Sequence, residues 1–396
     1  MKSMKSTPFI YGTTVSTQSF TDREKDAAKL YSNLTEGVNT SIISPRRWGK
    51  SSLVEKVLHD IKTKNRNTIA VQIDLFSVSS AEDFLELFAR EVIMASSTNW
   101  QDWVKAAKDF FSRLIPQITI GVDPHTDFRI GFNWTELNKY PDEVLNLPER
   151  IAAKQGKQCI ICLDEFQNLA SFAGFASFEK KMRSVWQRQK NVTYCLYGSK
   201  RHMMTEIFNN SSKPFYRFGD IMLLNKIPTE NWVTFIVNGF KKSGKTIRTE
   251  IAEKIPVLMN DHSWYVQQLA HYTWQKTEKS AGIEELSAAL TELINANSPL
   301  YQKEVESISV TQLNFLKAVV CNETQMTSAA VMQKYRLGTP RNVQKNRTIL
   351  IESDIIDLEN GRHVFLDPAF ELWFRMQYFG EKYLNNPALT TQKTKR

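Results

Sequence analysis

The sequence predicts an α/β fold, a parallel sheet layered between helices, followed by a helical region and a small terminal unit of helices and a hairpin. Three observations carry this. Strand-length apolar runs alternate with helical periodicities through roughly the first 225 residues, the grammar of βαβ units. A Gly-Lys-Ser stands at one strand-to-helix junction, and a later apolar run ends in two acids. Beyond residue 228 helical spacing takes over, until an Asn-Gly between two short apolar runs marks a hairpin.

Taken in order, a polar leader precedes Phe20-Thr-Asp-Arg23-Glu24, which opens a helix with Leu30 and Leu34 on its apolar side. Thr40–Ile43 reads as a strand, and after the loop 44–49 a helix follows with Leu53, Val54, Val57, Leu58 and Ile61 on one face. Residues 68–75 form a second strand. Residues 80–95 form a helix with Phe84, Leu87, Phe88 and Val92 in register. Residues 96–150 break the pattern: a helix bearing Trp100 and Trp103, then alternating stretches 117–122 and 128–134 around a polar turn. This predicts a helix and hairpin inserted in the core, with the tryptophans packing rather than binding a base. The sheet resumes with the acidic run 159–165, with 192–197 ending at Gly198-Ser199, and with 221–224.

Helical signals run from Pro228 to about residue 297. The last unit, beginning near Ile308, reads as a winged helix. Leu313, Leu316 and Val320 mark one helix and residues 328–335 a second. Gly338 makes the turn, and Thr339-Pro340 caps a third helix. Runs 355–358 and 362–365 flank Glu359-Asn360-Gly361 as the wing. The third helix offers Arg341, Gln344, Lys345 and Arg347 to a nucleic-acid groove or to phosphates. Yet residues 301–396 hold thirteen bases against ten acids, and winged helices also dock proteins or serve as lids, so both readings stand.

Two segments compete as a phosphate-binding loop. Gly239-Phe-Lys-Lys-Ser-Gly244-Lys245-Thr246 matches G-x-x-x-x-G-K-[ST] at every fixed position, whereas Ser44-Pro-Arg-Arg-Trp-Gly49-Lys50-Ser51 has serine in place of the first glycine. Context reverses the ranking. A phosphate loop needs a strand before it and a helix N-terminus after it, so that backbone N–H groups and the positive dipole end face the anion. Residues 44–51 have both. The perfect match instead follows a helix with Trp232, Phe235, Ile236 and Phe240 at helical spacing, where terminal carbonyls repel phosphate. Its glycine and lysine read as a helix end and loop. The first loop also has a partner in Cys159-Ile-Ile-Cys-Leu163-Asp164-Glu165, whose two acids suit a Mg²⁺-side carboxylate and a water-polarising base. Downstream of Thr246, the run ending at Asp261 follows too closely for a crossover and contains Pro256. Ser44 fits the loop in extended geometry, whereas a positive φ would strain it.

At 396 residues, two or three domains are expected. The composition, 42% hydrophobic and 23% charged, is that of ordinary globular proteins. No apolar run reaches membrane-spanning length and the N-terminus has no apolar core, so a cytoplasmic location is expected. Cys159 and Cys162 form a C-x-x-C, but three residues apart on a strand they face opposite ways; with Cys195 they read as buried structural thiols. The net charge of +9 includes a local excess over residues 152–201, read as a solvated helix face over 177–190 or as a binding stripe.

Phe20-Thr-Asp-Arg23-Glu24, Pro45-Arg-Arg-Trp-Gly-Lys-Ser-Ser-Leu53, Leu163-Asp-Glu-Phe-Gln167, Gly198-Ser199 and Pro214-Phe-Tyr-Arg217, in this order, resemble the archaeal-type ATPase family, AAA+-like P-loop NTPases close to the STAND signalling ATPases. The resemblance implies a P-loop NTPase three-layer sandwich with sheet order 5-1-4-3-2 and a core over residues 1–227. A helical lid would follow over 228–300, with Ser263-Trp-Tyr-Val-Gln-Gln-Leu269 within it, then a winged helix over 301–385 and a disordered tail over 386–396. It implies ATP and Mg²⁺ at the loop of Pro45, Arg46, Arg47, Trp48, Gly49, Lys50, Ser51 and Ser52. Lys50 would bridge β- and γ-phosphates, Ser51 and Asp164 would serve the metal, and Glu165 would be the catalytic base. It places Ser199 at the sensor position, Arg217 as an arginine reaching a γ-phosphate of its own or a neighbouring subunit, and Arg23 near adenine. Each of the last three has a plainer alternative: a turn residue, a structural ion pair, and a helix-start pair with Glu24 or Asp26. The expected protein is an ATPase whose nucleotide state moves the winged helix; alternatives are a slow STAND-type switch docking a protein, or a DNA-binding regulator with a relic ATP site. A nucleotide-dependent homo-oligomer is compatible with either. No effector motif is present after residue 380.

Overall fold

A computed structural model describes residues 7–12, 23–111, 114, 117–121, 123 and 127–380. Phe20, Thr21 and Asp22 of the first motif, part of the turn expected at 123–127, and the tail 386–396 lie outside the described residues. The chain divides into two compact units, one of residues 23–46 and 50–225, the other of residues 47–49 and 226 onward together with the N-terminal segment.

The first unit is a five-stranded parallel sheet between helices. Its strands are β1 (Thr40–Ile43), β2 (Thr68–Asp74), β5 (Gln158–Asp164), β6 (Val192–Gly198) and β7 (Asp220–Leu223), with the short strands β3 (Gln117–Thr119) and β4 (Arg129–Gly131) inserted between β2 and β5. The order across the sheet is β2-β5-β6-β1-β7, and all pairs are parallel. Counting only the five core strands, this is 5-1-4-3-2. All residues of β6 are buried and five of seven in β5 are apolar or cysteine, as a sheet covered on both faces requires. Helix Lys50–Lys64 buries Leu53, Val54, Val57, Leu58 and Ile61, and helix Ala81–Ser96 starts on the Ser80 cap, whose side chain accepts from the Asp83 N–H. At β7, Asp220 receives Lys29 at 2.7 Å and the Asn33 amide at 3.0 Å, which ties the edge strand to helix Glu24–Thr35.

The insertion contains helix Trp100–Phe110, the β3–β4 hairpin and three short helices spanning 134–155. Its strands are shorter than the alternation suggested. The Asn133 side chain accepts from the N–H groups of Thr135 and Glu136, so a helix begins at Trp134 where a strand was expected. Trp103 is buried, donating its indole N–H to the Ser97 carbonyl and packing on Phe128; Trp100 and Trp134 stand at the surface. The helix expected over 177–190 runs Phe175–Trp186, beginning at Gly174 in left-handed geometry. Glu149 accepts from the backbone of Lys190 and Asn191, holding the chain that follows. Cys159, Cys162 and Cys195 are buried free thiols; burial and the hydrogen bond with Cys195 push the Cys162 thiol upward.

The second unit packs helices Thr229–Lys242, Thr249–Leu258, Ser263–Lys276 and Ile283–Ser307 with a two-residue parallel pair, then helices Val310–Val320, Ala329–Tyr335 and Pro340–Glu352, a hairpin and helix Pro368–Phe379. Ile283–Ser307 is continuous through residue 300, where a boundary was expected. Thr339 caps its helix as the sequence indicates, with Pro340 in the first turn, and Ser309 and Ser328 cap the two helices before it. The wing pairs Ile356–Glu359 with Arg362–Phe365 across Asn360 (φ 50°) and Gly361 (φ 78°), both in the positive-φ geometry that a tight hairpin requires. Arg341, Gln344 and Lys345 are exposed on the third helix and Arg347 is partly covered. Asp367 caps the last helix through the N–H groups of Ala369 and Phe370, and the hydroxyls of Tyr265 and Tyr301 reach its carboxylate. Among the described residues no helix is long and apolar enough to cross a membrane.

Candidate active site

Parallel register assembles the site. Ile43 pairs with Gly198, and Leu163 with Leu196, so the chain ends of β1, β5 and β6 emerge together at the carboxyl edge of the sheet. Residues 44–46, 50–51, 164–165 and 199, all of the first unit, meet there although about 150 residues separate them in sequence. This edge, where loops leave parallel strands, is the usual ligand position in open α/β sheets.

The loop after β1 turns through Arg47 (φ 63°) and Gly49 (φ 92°) before helix Lys50–Lys64 begins. Ser44 is not among the positive-φ residues; it is buried, its hydroxyl donating to the Pro45 carbonyl at 3.1 Å, and serine meets no backbone strain there. The left-handed geometry falls instead on Arg47 and Gly49, and only the second is a glycine. Lys50 is 6% exposed, and its ammonium lies 3.6 Å from Glu165 Oε1. Ser51 Oγ donates to Asp164 Oδ2 at 2.8 Å. Arg46 Nε lies 3.4 Å from Ser199 Oγ, and Ser52 is buried beneath the loop. Within the second unit the Arg47 guanidinium sits 4.5 Å from the Trp264 ring centre and Trp48 lies edge-on to His262.

The two acids have different environments. Burial raises the Asp164 carboxyl to about 6, even though Lys50 and the Ser51 hydroxyl favour its ionised form. Burial acts in the same sense on Glu165, but the Lys50 ammonium and hydrogen bonds from Gln167 and Ser199 outweigh it and hold this carboxyl below the ordinary range. Glu165 Oε2 accepts from the Ser199 hydroxyl at 2.8 Å, the Ser199 N–H at 3.3 Å and the Gln167 side-chain amide. The Glu165 backbone is left-handed (φ 52°), and its N–H donates to Asp164 Oδ1 at 2.8 Å. A non-glycine residue held in this region costs on the order of 1 kcal/mol and is found where surroundings fix it.

This donor set fits a Mg²⁺-nucleotide. A buried ammonium and the N-terminus of a fifteen-residue helix face the same edge, which suits phosphate. A hydroxyl and a desolvated carboxylate, both hard oxygen donors, stand in contact beside them. Among the described residues no group of three or more His, Cys, Asp or Glu forms a metal cage. Mg²⁺ commonly takes one or two protein oxygens and completes its shell with phosphate and water.

Two expected residues are not brought here. Arg217 precedes β7, whose first residue, Asp220, pairs with Thr40 at the start of β1, so it lies at the amino edge of the sheet, opposite the loop. It is exposed, its guanidinium over the Tyr216 ring. A role for Arg217 at the nucleotide of its own chain is therefore corrected. Arg23 is buried and pairs with Asp26 at 3.1 Å, the plainer of its two readings. The perfect textual match is also resolved: Gly239 lies inside helix Thr229–Lys242 with Phe9 where its Cβ would be, and Lys245 donates to the Trp274 carbonyl at 2.7 Å. Gln167 was singled out only as part of a motif; its contact with Glu165 depends on the turn Phe166–Ser171 and carries no signal in spacing.

Residues 299–376 match the family model described as "Probable winged helix domain". No curated protein matches the chain. Among solved structures, the Walker-type ATPase of Pyrococcus abyssi superposes with a TM-score of 0.65 at 17% identity, over 91% of this chain and 97% of that one. The ORC2 protein of Aeropyrum pernix, solved with ADPNP and ADP, gives 0.52 at 13% identity, over 88% and 90%. At such identities the likeness is one of architecture: the chain has the AAA+-like fold of Walker-type ATPases with a winged helix at its C-terminal end.

Proposed function

We propose that the chain is a Mg²⁺-dependent ATPase that couples its nucleotide state to a C-terminal winged-helix module, with a helical lid over residues 228–300. The observation that carries this reading is the meeting of Lys50, Ser51, Asp164, Glu165 and Ser199 at one sheet edge, with Ser51 on Asp164 and Lys50 beside Glu165. Lys50 and the loop N–H groups would hold the phosphates, and Ser51 and Asp164 the metal. Bound Mg²⁺ supplies charge neutralisation on the transferring phosphoryl group. Glu165, kept ionised at neutral pH, would accept the proton of an attacking water, and Ser199 would hold Glu165 in place. Phosphoryl transfer asks chiefly for positioning and electrostatics, which these residues provide.

Glu165→Gln tests the reading. It should bind ATP-Mg²⁺ with affinity near wild type and lose turnover by a factor of at least about 100; undiminished turnover removes Glu165 from the base role. A second reading is favoured by the ties on Glu165: a base engaged by Lys50, Gln167 and Ser199 at once suits a slow switch that retains nucleotide and docks a protein. Single-turnover kinetics separate the two, because the switch retains ADP with little turnover. A DNA role through Arg341, Gln344, Lys345 and Arg347 predicts turnover stimulated by DNA, and a salt slope that falls by about 1 on losing one phosphate-contacting cation such as Lys345.

A further inference from the structure

Gln167 is 1% exposed, and its side chain does two things. Its amide nitrogen donates to Glu165 Oε2, the oxygen that also accepts from Ser199. Its amide oxygen is buried with no hydrogen-bond partner and lies against Gly198: a Cβ built on Gly198 would fall 1.8 Å from it. Leaving a buried carbonyl oxygen unpaired costs free energy that packing alone does not require, since an apolar side chain would fill the same volume without that penalty. The cost is explained if the amide is there for its donor. Gly198 is not in positive-φ geometry, so its lack of a side chain answers to the space that Gln167 occupies.

We propose that Gln167 is a positioning residue for the Glu165 carboxylate and that Gly198 is the gap that admits it. The turn Phe166–Ser171 folds back beneath the strand end and delivers the amide two residues after the carboxylate it orients. Ser199 and Gln167 together fix Oε2 and leave Oε1, on the Lys50 side, as the oxygen turned to the loop. Removal of the donor therefore acts on the placement of the Glu165 carboxylate.

This rests on the reading of Glu165 as the catalytic base, and the test keeps the two apart. Steady-state ATP hydrolysis is measured for wild type, Glu165→Gln, Gln167→Met, Gly198→Ala, Gln167→Ala and the Gln167→Ala, Gly198→Ala double variant, with ATP-Mg²⁺ binding measured on each. Gln167→Met keeps length and removes the donor. The expected result is a kcat lower by about 10- to 100-fold, as for loss of a hydrogen bond to a charged group, with KM changed less than about threefold. ATP-Mg²⁺ binding stays near wild type, a split between kcat and KM that a merely structural role would not produce. Gly198→Ala displaces the amide, so it reproduces the loss of kcat in the wild-type background and adds nothing in the Gln167→Ala background, which leaves room for the new methyl. If Glu165→Gln abolishes turnover while Gln167→Met and Gly198→Ala keep the kcat of wild type, the positioning role is wrong and the base assignment stands. If Glu165→Gln keeps its turnover, the base reading itself fails. Should Gln167→Met not fold, judged by lost ATP binding and circular dichroism, Gly198→Ala carries the comparison alone, and its unchanged kcat overturns the proposal.

Discussion

Asp164 stores a pH-dependent cost that the protein carries for its site. Its carboxyl titrates near 3.8 in an unperturbed chain and is raised to about 6 when folded, chiefly by burial. Between these values the folded state holds a proton that the unfolded state has released, so stability falls as pH rises through this window. Above it the ionised, desolvated carboxylate costs on the order of 3 kcal/mol without a cation. Asp164→Asn is therefore expected to melt above wild type near pH 7.5 in the absence of nucleotide, with the advantage vanishing toward pH 4. Thermal melts across that range check it, and a difference independent of pH would mean that the residue is not desolvated as described. Lys50, Ser51 and the acid pair were legible in the sequence because a phosphate loop and an acid-ended strand are local patterns. The Gln167–Gly198 contact was not, because an amide meeting a missing Cβ across two strands leaves no periodicity.

Among elements, the helix Thr229–Lys242 decides between the two candidate loops. The perfect G-x-x-x-x-G-K-T match begins in its last turn and runs past its end at Lys242, and Gly239 is needed for the close approach of Phe9 at 2.8 Å from an added Cβ. Gly239→Val should destabilise the second unit by roughly 1–3 kcal/mol through overpacking and leave ATP affinity unchanged, as should Lys245→Ala, whose partner is the Trp274 carbonyl. Isothermal titration of the folded variants measures this; a large loss of ATP affinity in Lys245→Ala would return the second loop to contention. A helix start was readable to the residue at Thr339, where a capping side chain precedes Pro340, whereas the Ser309 cap was not singled out in the sequence. The insertion was less legible: alternation over 128–134 looked like a strand throughout, but the Asn133 cap ended β4 at Gly131.

At the scale of the whole molecule, parallel topology separates Arg217 from the loop. Residues 217–223 climb from the amino edge to the carboxyl edge, and β7 alone covers roughly 10 Å at 3.3 Å per residue. Arg217→Ala should leave ATP-Mg²⁺ affinity unchanged in dilute protein. If the residue serves a neighbouring copy, its loss lowers turnover only at concentrations where the protein self-associates, which sedimentation and turnover measured over the same dilution series would reveal. Weakened ATP binding by a dilute monomer would contradict its place at the far edge.

Periodicity, caps and the Asn-Gly turn are short-range: they follow from the 3.6- and 2-residue repeats and from side chains bonding backbone within a few residues. The sequence by itself therefore determined the alternation of strands and helices, the phosphate loop, the acid-ended strand and the three helices and wing at the C-terminal end. Strand order entered only through resemblance to known ATPases, because backbone ladders are made of groups common to every residue. Register at the sheet edge, the cage around Glu165 and the separation of Arg217 from the loop of its own chain were decided by tertiary structure, for they depend on which distant segments lie side by side.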